Sequence, residues 1–586
     1  LKELSNEQRL LLALVLSIVV VTVSDLVVFR HMRKPANQPV SQTMPAAPAA
    51  QKPEAAMPAA PPPAAKMPAP AQRPPAAPAA TKTAQPAVAA ANEQNIVVDS
   101  GLYRVVLSNR GAVVRSWQLK RYHDESKPPK VLDVVHPPAN SNSEEWPLSL
   151  LLVDPKLQSE ANSALYEVKS AGLSLRAPAD VEFSWSNGHL KVTKDLEFGY
   201  DYVTTLQTTV TLDGQPMPYA VAWRGGFGDP TVYHAYDQVE VFHSNDGKVT
   251  LLESKKLGAS DHPEVPAQFP GTLQFAGIED HYFAAAFLPP QGQVTAWSWR
   301  TEKPGTGEDK GTKEPVAEVA VSAPAPTPGP LVLRLYVGPK SLSELGKVNT
   351  HLRALVNYGF FGFIAEPLFY VLRFIQHYVP NWGWAIVVLT LVLNMALFPL
   401  KMSQWRSMQK MQRVMPEMKS IQGKYKKYPM KDPRRQKMNE EMMELYKREG
   451  INPLGSCLPM LMQMPIWFAL YEMLEVAIEL RHAPWIFWVH DLSTRDPYYV
   501  IPLLLMAAGY FMQKMTPVAT PDPAQQKMMN YMPVLLGLLF FRLASGLNLY
   551  ILSSYIVGIG QQWYLNKTAP APAPATGKAK RQAVER

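Results

Sequence analysis

Cysteine is almost absent, with one residue, Cys457, in a chain of 586. A single thiol excludes an intrachain disulfide and any metal framework built on cysteines. It stands at the mouth of an apolar segment with no His or Asp set to activate it, so it reads as structural. No Walker A sequence is present, so any work done does not draw on an ATPase in this chain. Gly305-Thr-Gly307 lies in a Pro/Lys/Asp loop rather than between a strand and a helix, and the histidines lack HExxH spacing. Carboxylates deep in several apolar segments, which a proton relay needs, are missing as well. Glu472, Glu475 and Glu479 gather towards one end of a single segment, where Glu475 and Glu479 are within reach of Arg481 or the surface.

What is present is very uneven along the chain, which makes the averages (net charge +9, mean hydropathy −0.12) poor guides. Residues 10–29 form an apolar run long enough to cross a hydrocarbon core of roughly 30 Å. No small-x-small cleavage site comes after it, so residues 1–34 read as an uncleaved anchor. Residues 35–94 are a Pro/Ala-rich linker, with fifteen prolines between 35 and 90. Such a stretch cannot bury a core and serves as an extended spacer, with PxxP ligand motifs the alternative.

Residues 95–340 change to short alternating runs, among them Tyr103-Arg-Val-Val-Leu107 and residues 203–212. Asn109-Arg-Gly111, Ser186-Asn-Gly188 and Leu212-Asp-Gly214 punctuate them as turns, so a large, mainly antiparallel β-domain is expected. Residues 341–380 connect it to the apolar segments beyond and include an apolar helix at 363–378 interrupted by Glu366, Arg373 and His377, suited to a membrane surface. Residues 382–400, 454–478 and 498–515 are each about long enough to span. The stretch 526–565 is too long for one crossing and breaks at Ala544-Ser-Gly546 into helices over 526–543 and 547–565. With the anchor, six transmembrane helices are expected: the anchor, 381–400 and four within 451–565.

Charge orients them. Residues 401–450 hold fourteen Lys/Arg against six Asp/Glu, and the disordered tail 566–586 holds five against one. The positive-inside rule then places both in the cytoplasm and the β-domain outside. Within 401–450, Met408, Met411, Met415 and Met418 recur at three- and four-residue steps on one helix face. Tyr428-Pro-Met-Lys-Asp-Pro433 breaks that helix and Arg434–Arg448 reads as a second, giving a basic hairpin that includes Arg434 and Arg435. Two readings stay open: the methionines seal the hairpin, or they form a soft docking face. The basic faces are either solvated charge or a surface for anionic lipid or ribosomal RNA.

Polar residues recur inside the spans. Thr390 and Asn394 share one face of the second, Gln463 lies in the third, Gln513 in the fourth, and Ser553 and Ser554 in the sixth. They line one polar groove, or each bonds a neighbouring helix and holds the bundle together.

The chain resembles the YidC/Oxa family of membrane protein insertases. The likeness rests on Asn381-Trp-Gly-Trp384, Asn452-Pro-Leu-Gly455, Gln463-Met-Pro465, His490-Asp-Leu492, Asp496-Pro-Tyr-Tyr499, Gln513-Lys-Met515, Asp522-Pro523, Met532-Pro533 and Ser545-Gly-Leu547. Asn109-Arg-Gly-Ala112, Glu279-Asp-His-Tyr-Phe283 and Leu335-Tyr-Val-Gly-Pro339 extend it more loosely. The resemblance implies a multi-domain inner-membrane protein: a periplasmic all-β supersandwich, similar to the galactose mutarotase fold, and a polytopic α-helical bundle with a five-helix core. It implies a hydrophilic groove open to cytoplasm and lipid, in which Met464, Pro465 and Leu539 match client-contact positions. Nascent membrane proteins, the ribosome, the Sec translocon, the signal recognition particle system and membrane lipids are the partners it implies, with no DNA, cofactor, metal or catalytic residue. A transporter would call for inverted repeats or charged residues in broken helices, and neither is found. An anchored periplasmic carbohydrate-binding protein is the other alternative. One departure stands out: family members generally carry an arginine where this chain has Asn394. A groove wall that is polar but nearly neutral, with weaker preference for acidic client tails, is expected from it.

Overall fold

The computed structural model describes residues 86–568 except 138–145, 232–238, 259–261, 291, 305–312, 324–329, 427, 430–431, 451–457 and 517–522. The anchor at 10–29, most of the 35–94 linker, Cys457, Asn452-Pro-Leu-Gly455 and the tail from 569 lie outside the described residues. The chain divides into two compact units that meet in sequence between Gly338 and Pro339.

The first unit is β-rich, with two five-stranded sheets and one of ten strands among the described residues. Its turns follow from their residues. Asp213 and Gly214 both take positive φ (50° and 79°), the geometry of a two-residue hairpin turn joining Val203–Leu212 to Gln215–Pro216. Asn187 closes another turn by accepting from the backbone N–H of His189 (2.9 Å) and Leu190 (2.7 Å). An α-helix in this region, α1 (Pro155–Ser163), starts at Asp154, whose carboxylate accepts from Lys156 N–H. Alternation builds the core: Tyr103, Trp117 and Phe198 pack with ring centroids 6.0–6.3 Å apart.

The same alternation buries a charge. Along Leu190–Phe198 the inward positions are Leu190, Val192, Lys194, Leu196 and Phe198. Lys194 is fully buried, and its ammonium donates to the carbonyls of Gly111 (3.0 Å), Ala112 (3.0 Å) and Leu148 (2.7 Å). All three of its N–H donors are used. Burial pulls its pKa down to about 7.

The second unit is helical: α2 (Leu342–Val348), α3 (Gly362–Tyr378), α4 (Trp382–Ala396), α5 (Phe398–Tyr425), α6 (Arg434–Arg448), α7 (Leu458–Val476), α8 (Val500–Met515), α9 (Pro523–Phe540) and α10 (Ser545–Thr568). Helix α10 packs against α4 and α8, α9 against α8, and α3 against α7 and α4. Gly509 of α8 allows a close approach of two helices, since a Cβ there would stand 3.1 Å from both Pro533 of α9 and Tyr555 of α10. On α3, Ala365, Phe369 and Leu372 face inward while Phe363, Tyr370, Phe374 and Tyr378 stay exposed. An amphipathic helix that leaves aromatics uncovered suits a lipid surface.

Two expectations are corrected. Residues 382–400 are not one helix: α4 ends at Ala396, and α5 leaves at 54°. Pro399 explains the break, because it has no N–H for Met395 and its ring clashes with that turn. The first hairpin helix therefore begins at Phe398 rather than at 401. Among the described residues no single helix is long and apolar enough to cross a membrane, although α4 and α5 pass that test together. Buried polar groups such as Asn548, Ser553 and Gln562 lower the apolar character of α10.

Candidate functional site

A polar side chain on an apolar helix needs a partner, since burying it unpaired costs a few kcal/mol. Thr390, fully buried, finds one on its own helix and donates to the Ile386 carbonyl at 2.7 Å. Asn394, 3% exposed, reaches further. Its amide nitrogen donates to the Thr390 carbonyl (2.8 Å) and across to Ser554 Oγ on α10 (3.1 Å). Its amide oxygen accepts from Lys401 Nζ at 2.6 Å, and the same ammonium donates to Gln561 Oε1 at 3.1 Å. Gln561 Nε2 in turn donates to the Asn394 carbonyl at 3.0 Å. That carbonyl lies in the last turn of α4, where helix carbonyls lose their intrahelical partners. The cluster continues along α5 and α10: Trp405 Nε1 and Gln562 Nε2 donate to Asn566 Oδ1 (3.3 and 2.9 Å), and Asn566 donates to the Met515 carbonyl of α8 (3.0 Å).

Of the residues read from the sequence, Thr390, Asn394 and Ser554 thus come together. Gln463 and Gln513 are half-buried and do not join this network among the described residues. Lys401 and Gln561 were missed, and a spacing signal was available only for Gln561. Gln561 lies seven residues beyond Ser554 on α10, a step that returns to the same helix face, whereas Lys401 lies beyond the bend from Asn394. Lys401 also corrects the expectation of a nearly neutral place beside Asn394, because an ammonium is bonded to that amide.

Met464 on α7 is 42% exposed; Pro465 beside it and Leu539 on α9 are half-buried. Val534, Leu536 and Leu538 add exposed apolar surface to α9. Among the described residues, helices α7 and α9 do not pack along one another.

The hairpin of α5 and α6 closes on a seam of Met411, Val414, Met418 and Leu445, flanked by Ile421, Met442 and Tyr446. Met411 and Met418 are therefore sealing residues and offer no docking face, whereas Met408 and Met415 are half-buried. Arg448 pairs with Glu417, and Tyr425 donates to Glu441 at 2.7 Å, holding that carboxyl below its usual range. Arg434 lies over the Tyr428 ring at 4.3 Å, so it is committed within the hairpin; the Arg435 side chain lies outside the described residues. Arg406, Lys410 and Arg413 form an exposed basic stripe on α5.

Comparison with known proteins decides what this arrangement belongs to. The family model of the 60Kd inner membrane protein matches residues 374–572, and that of the YidC periplasmic domain matches residues 95–371. A membrane protein insertase YidC of Syntrophus aciditrophicus is 31% identical over 587 residues, covering 96% of this chain and all of that protein. The chain belongs to the YidC family of membrane protein insertases. A second YidC insertase, from Pelobacter propionicus, is 33% identical over 585 residues, covering 96% of this chain and 99% of the other. A solved active YidC insertase with its first transmembrane domain resolved is 16% identical, with a TM-score of 0.35, covering 82% of this chain and 95% of that one. As a YidC insertase the chain is an inner-membrane protein with a periplasmic domain, and not an enzyme.

Several YidC-type motifs prove to be the joints of the helical unit. Asn381 caps α4 by accepting from Trp384 N–H (3.1 Å) and donates to the Pro484 and Trp485 carbonyls (3.1 and 3.2 Å). Asp496 accepts from the backbone N–H of Tyr498 (3.0 Å) and Ile501 (2.7 Å) at the start of α8, and from Trp488 Nε1 (3.1 Å). Gly546 N–H donates to the Leu492 carbonyl at 2.8 Å, joining Ser545-Gly-Leu547 to His490-Asp-Leu492. Glu479 accepts from Ser341 Oγ at 3.2 Å.

Proposed function

We propose that a client's polar segment enters at the cluster of Thr390, Asn394, Ser554, Lys401 and Gln561, and that its apolar helix leaves towards lipid along Met464, Pro465 and Leu539. The carrying observation is that Asn394, Ser554, Lys401 and Gln561 bond one another through side chains. Side-chain amides and hydroxyls can exchange partners with an arriving chain by rotation, whereas backbone groups locked in helices cannot. A polar recess lowers the desolvation cost of carrying hydrophilic residues part-way across. Gln463 and Gln513, half-buried on α7 and α8, extend the polar lining of that recess. The exposed apolar residues of α7 and α9, which flank without packing together, give the client's helix a surface to follow into the bilayer.

The remaining architecture follows from charge: six transmembrane helices including the anchor at 10–29, the β-rich unit periplasmic, and the hairpin and C-terminus cytoplasmic. On that side the stripe Arg406, Lys410 and Arg413, with Arg435, Met408 and Met415, forms the docking side for the ribosome and signal recognition particle system. The Sec translocon is the partner for clients too large to insert without it. The test is rescue of cells depleted of their own insertase by the full-length chain, by Asn394→Leu/Ser554→Leu, and by a version lacking about 100–330. The full-length chain restores insertion and the double variant does not; full rescue by the double variant would refute the polar entry site.

A further inference from the structure

Glu472, Glu475 and Glu479 gather where α7 ends, and one stretch of chain is laid against that end. Phe468, Glu472 and Glu475 follow at steps of four and three, so they share one face of α7. Phe361, at the start of α3, stacks on Phe468 with ring centroids 6.0 Å apart. Gly359 lies against Glu472, where a Cβ would stand 3.3 Å from the carboxyl carbon. Glu479 follows in the 3-10 turn Ile478–Leu480 and accepts from Ser341 Oγ, just ahead of α2, at 3.2 Å. Residues 341–378 thus form an arm along the C-terminal half of α7, with α3 packed on that helix. Pro465 inside α7 has no N–H for the Leu461 carbonyl, so the clamped half joins the turn bearing Met464 at a weak point.

Glu479 is half-buried at this joint. Arg373 of α3 is the opposite charge that acts on it from the arm, beyond ion-pair distance. Tyr358, also of the arm, is kept above its ordinary pKa by burial, Glu479 and Glu366. Glu475 stands one turn before Glu479, and Arg481 two residues after it. Burial outweighs Ser341 and Arg373 and pushes the Glu479 carboxyl above its usual range.

We propose that Glu479 is an acid-sensitive fastening, which holds the arm to α7 firmly when its carboxyl is neutral and loosely when it is ionised. A neutral carboxyl sits at this joint at little cost, whereas an ionised one is desolvated with a single hydroxyl in compensation. The fastened arm therefore binds the proton more tightly than the released one. Fastening strengthens as the pH falls from the raised value towards the ordinary carboxylate value. Above that window both states are ionised and below it both are neutral, so the dependence vanishes on either side. The consequence for insertion rests on reading α7 as the client's exit: a fastened arm fixes the half of α7 beyond Pro465, and with it the direction in which the client leaves Met464.

The test is hydrogen exchange at the amides of 341–378, with the full-length chain in phosphatidylethanolamine/phosphatidylglycerol vesicles, between about pH 4.5 and 8 and corrected for the intrinsic rate. Protection rises by about tenfold as the pH falls, the change that one unit of pKa represents. Glu479→Gln is highly protected at every pH. Ser341→Ala and Arg373→Gln each remove a group that favours the ionised form, so they move the midpoint to higher pH, a shift that a purely structural role would not produce. A flat profile in the unaltered chain, a profile that survives in Glu479→Gln, or midpoints unmoved in both Ser341→Ala and Arg373→Gln would overturn the proposal. A profile abolished by Glu472→Gln or Glu475→Gln instead would assign the effect to another carboxyl and also overturn it. Cross-linking of the client from position 464 reads exit separately. No capture there at any pH, with the exchange profile as expected, would overturn the exit reading and leave the fastening standing.

Discussion

Two lysines inside this protein are handled in opposite ways. Lys194 in the β-rich unit is sealed, with all three donors on backbone carbonyls at 2.7–3.0 Å. Lys401 in the helical unit is half-buried and bonded to two side-chain amides. Carbonyls fixed in a folded backbone cannot move away, so the first arrangement fastens strands and loops together. Amide side chains can rotate, so the second holds a charge ready without locking it. The same residue type thus serves as a rivet in one unit and as a binding group in the other, and what surrounds the ammonium decides which.

Removing the rivet has the largest expected effect. Lys194→Met leaves three carbonyls unpaired in the core and costs the β-rich unit about 3–5 kcal/mol, seen as a fall in Tm of roughly 10 °C. A change under about a degree would mean that Lys194 is not structural. The pH dependence comes next. Lys194 titrates near 7 folded and at its ordinary, higher value unfolded. Between those values the unfolded chain binds the extra proton, so raising the pH stabilises the fold, and below about 7 the slope vanishes. Tm of the isolated signal from the β-rich unit is expected to rise between about pH 7 and 9; a flat profile would show that the three carbonyls keep the ammonium charged.

Asn548 sharpens the comparison, because it is a rivet within the helical unit. It is fully buried and donates to the Phe540 (2.9 Å) and Leu543 (3.3 Å) carbonyls at the α9–α10 turn. Asn548→Ala is expected to cost about 2 kcal/mol, measured by thermal unfolding in detergent. Lys401→Met should cost the least, under about 1 kcal/mol, because Lys401 and its partner Gln561 are only half-buried and lie within reach of water. Should Lys401→Met destabilise as much as Asn548→Ala, the distinction between rivet and binding group fails.

How far these features could be read in advance depends on their range. Amphipathic and apolar periodicity marked the helices of the second unit and the hairpin, because each is a local pattern. Turn chemistry at Asp213-Gly214 and Asn187-Gly188 marked the ends of strands for the same reason. Asn394, Thr390 and Ser554 were visible as polar residues in apolar segments. Their joining through Lys401 and Gln561 was not, since the bonds link residues 160 or more apart. The bend at Pro399 was hidden by a continuous apolar run. Lys194 sat in plain view at an inward step of an alternating strand; charge alone suggested the surface.

The central claim is that clients pass the α4–α10 cluster and leave along α7. It is tested most directly with single cysteines in a Cys457→Ser background, at positions 554 and 464, cross-linked to a stalled nascent chain. The account expects position 554 to capture the client's polar segment and position 464 its apolar helix. Capture of the apolar helix at 554, or of neither segment at either position while the client still inserts, would contradict it.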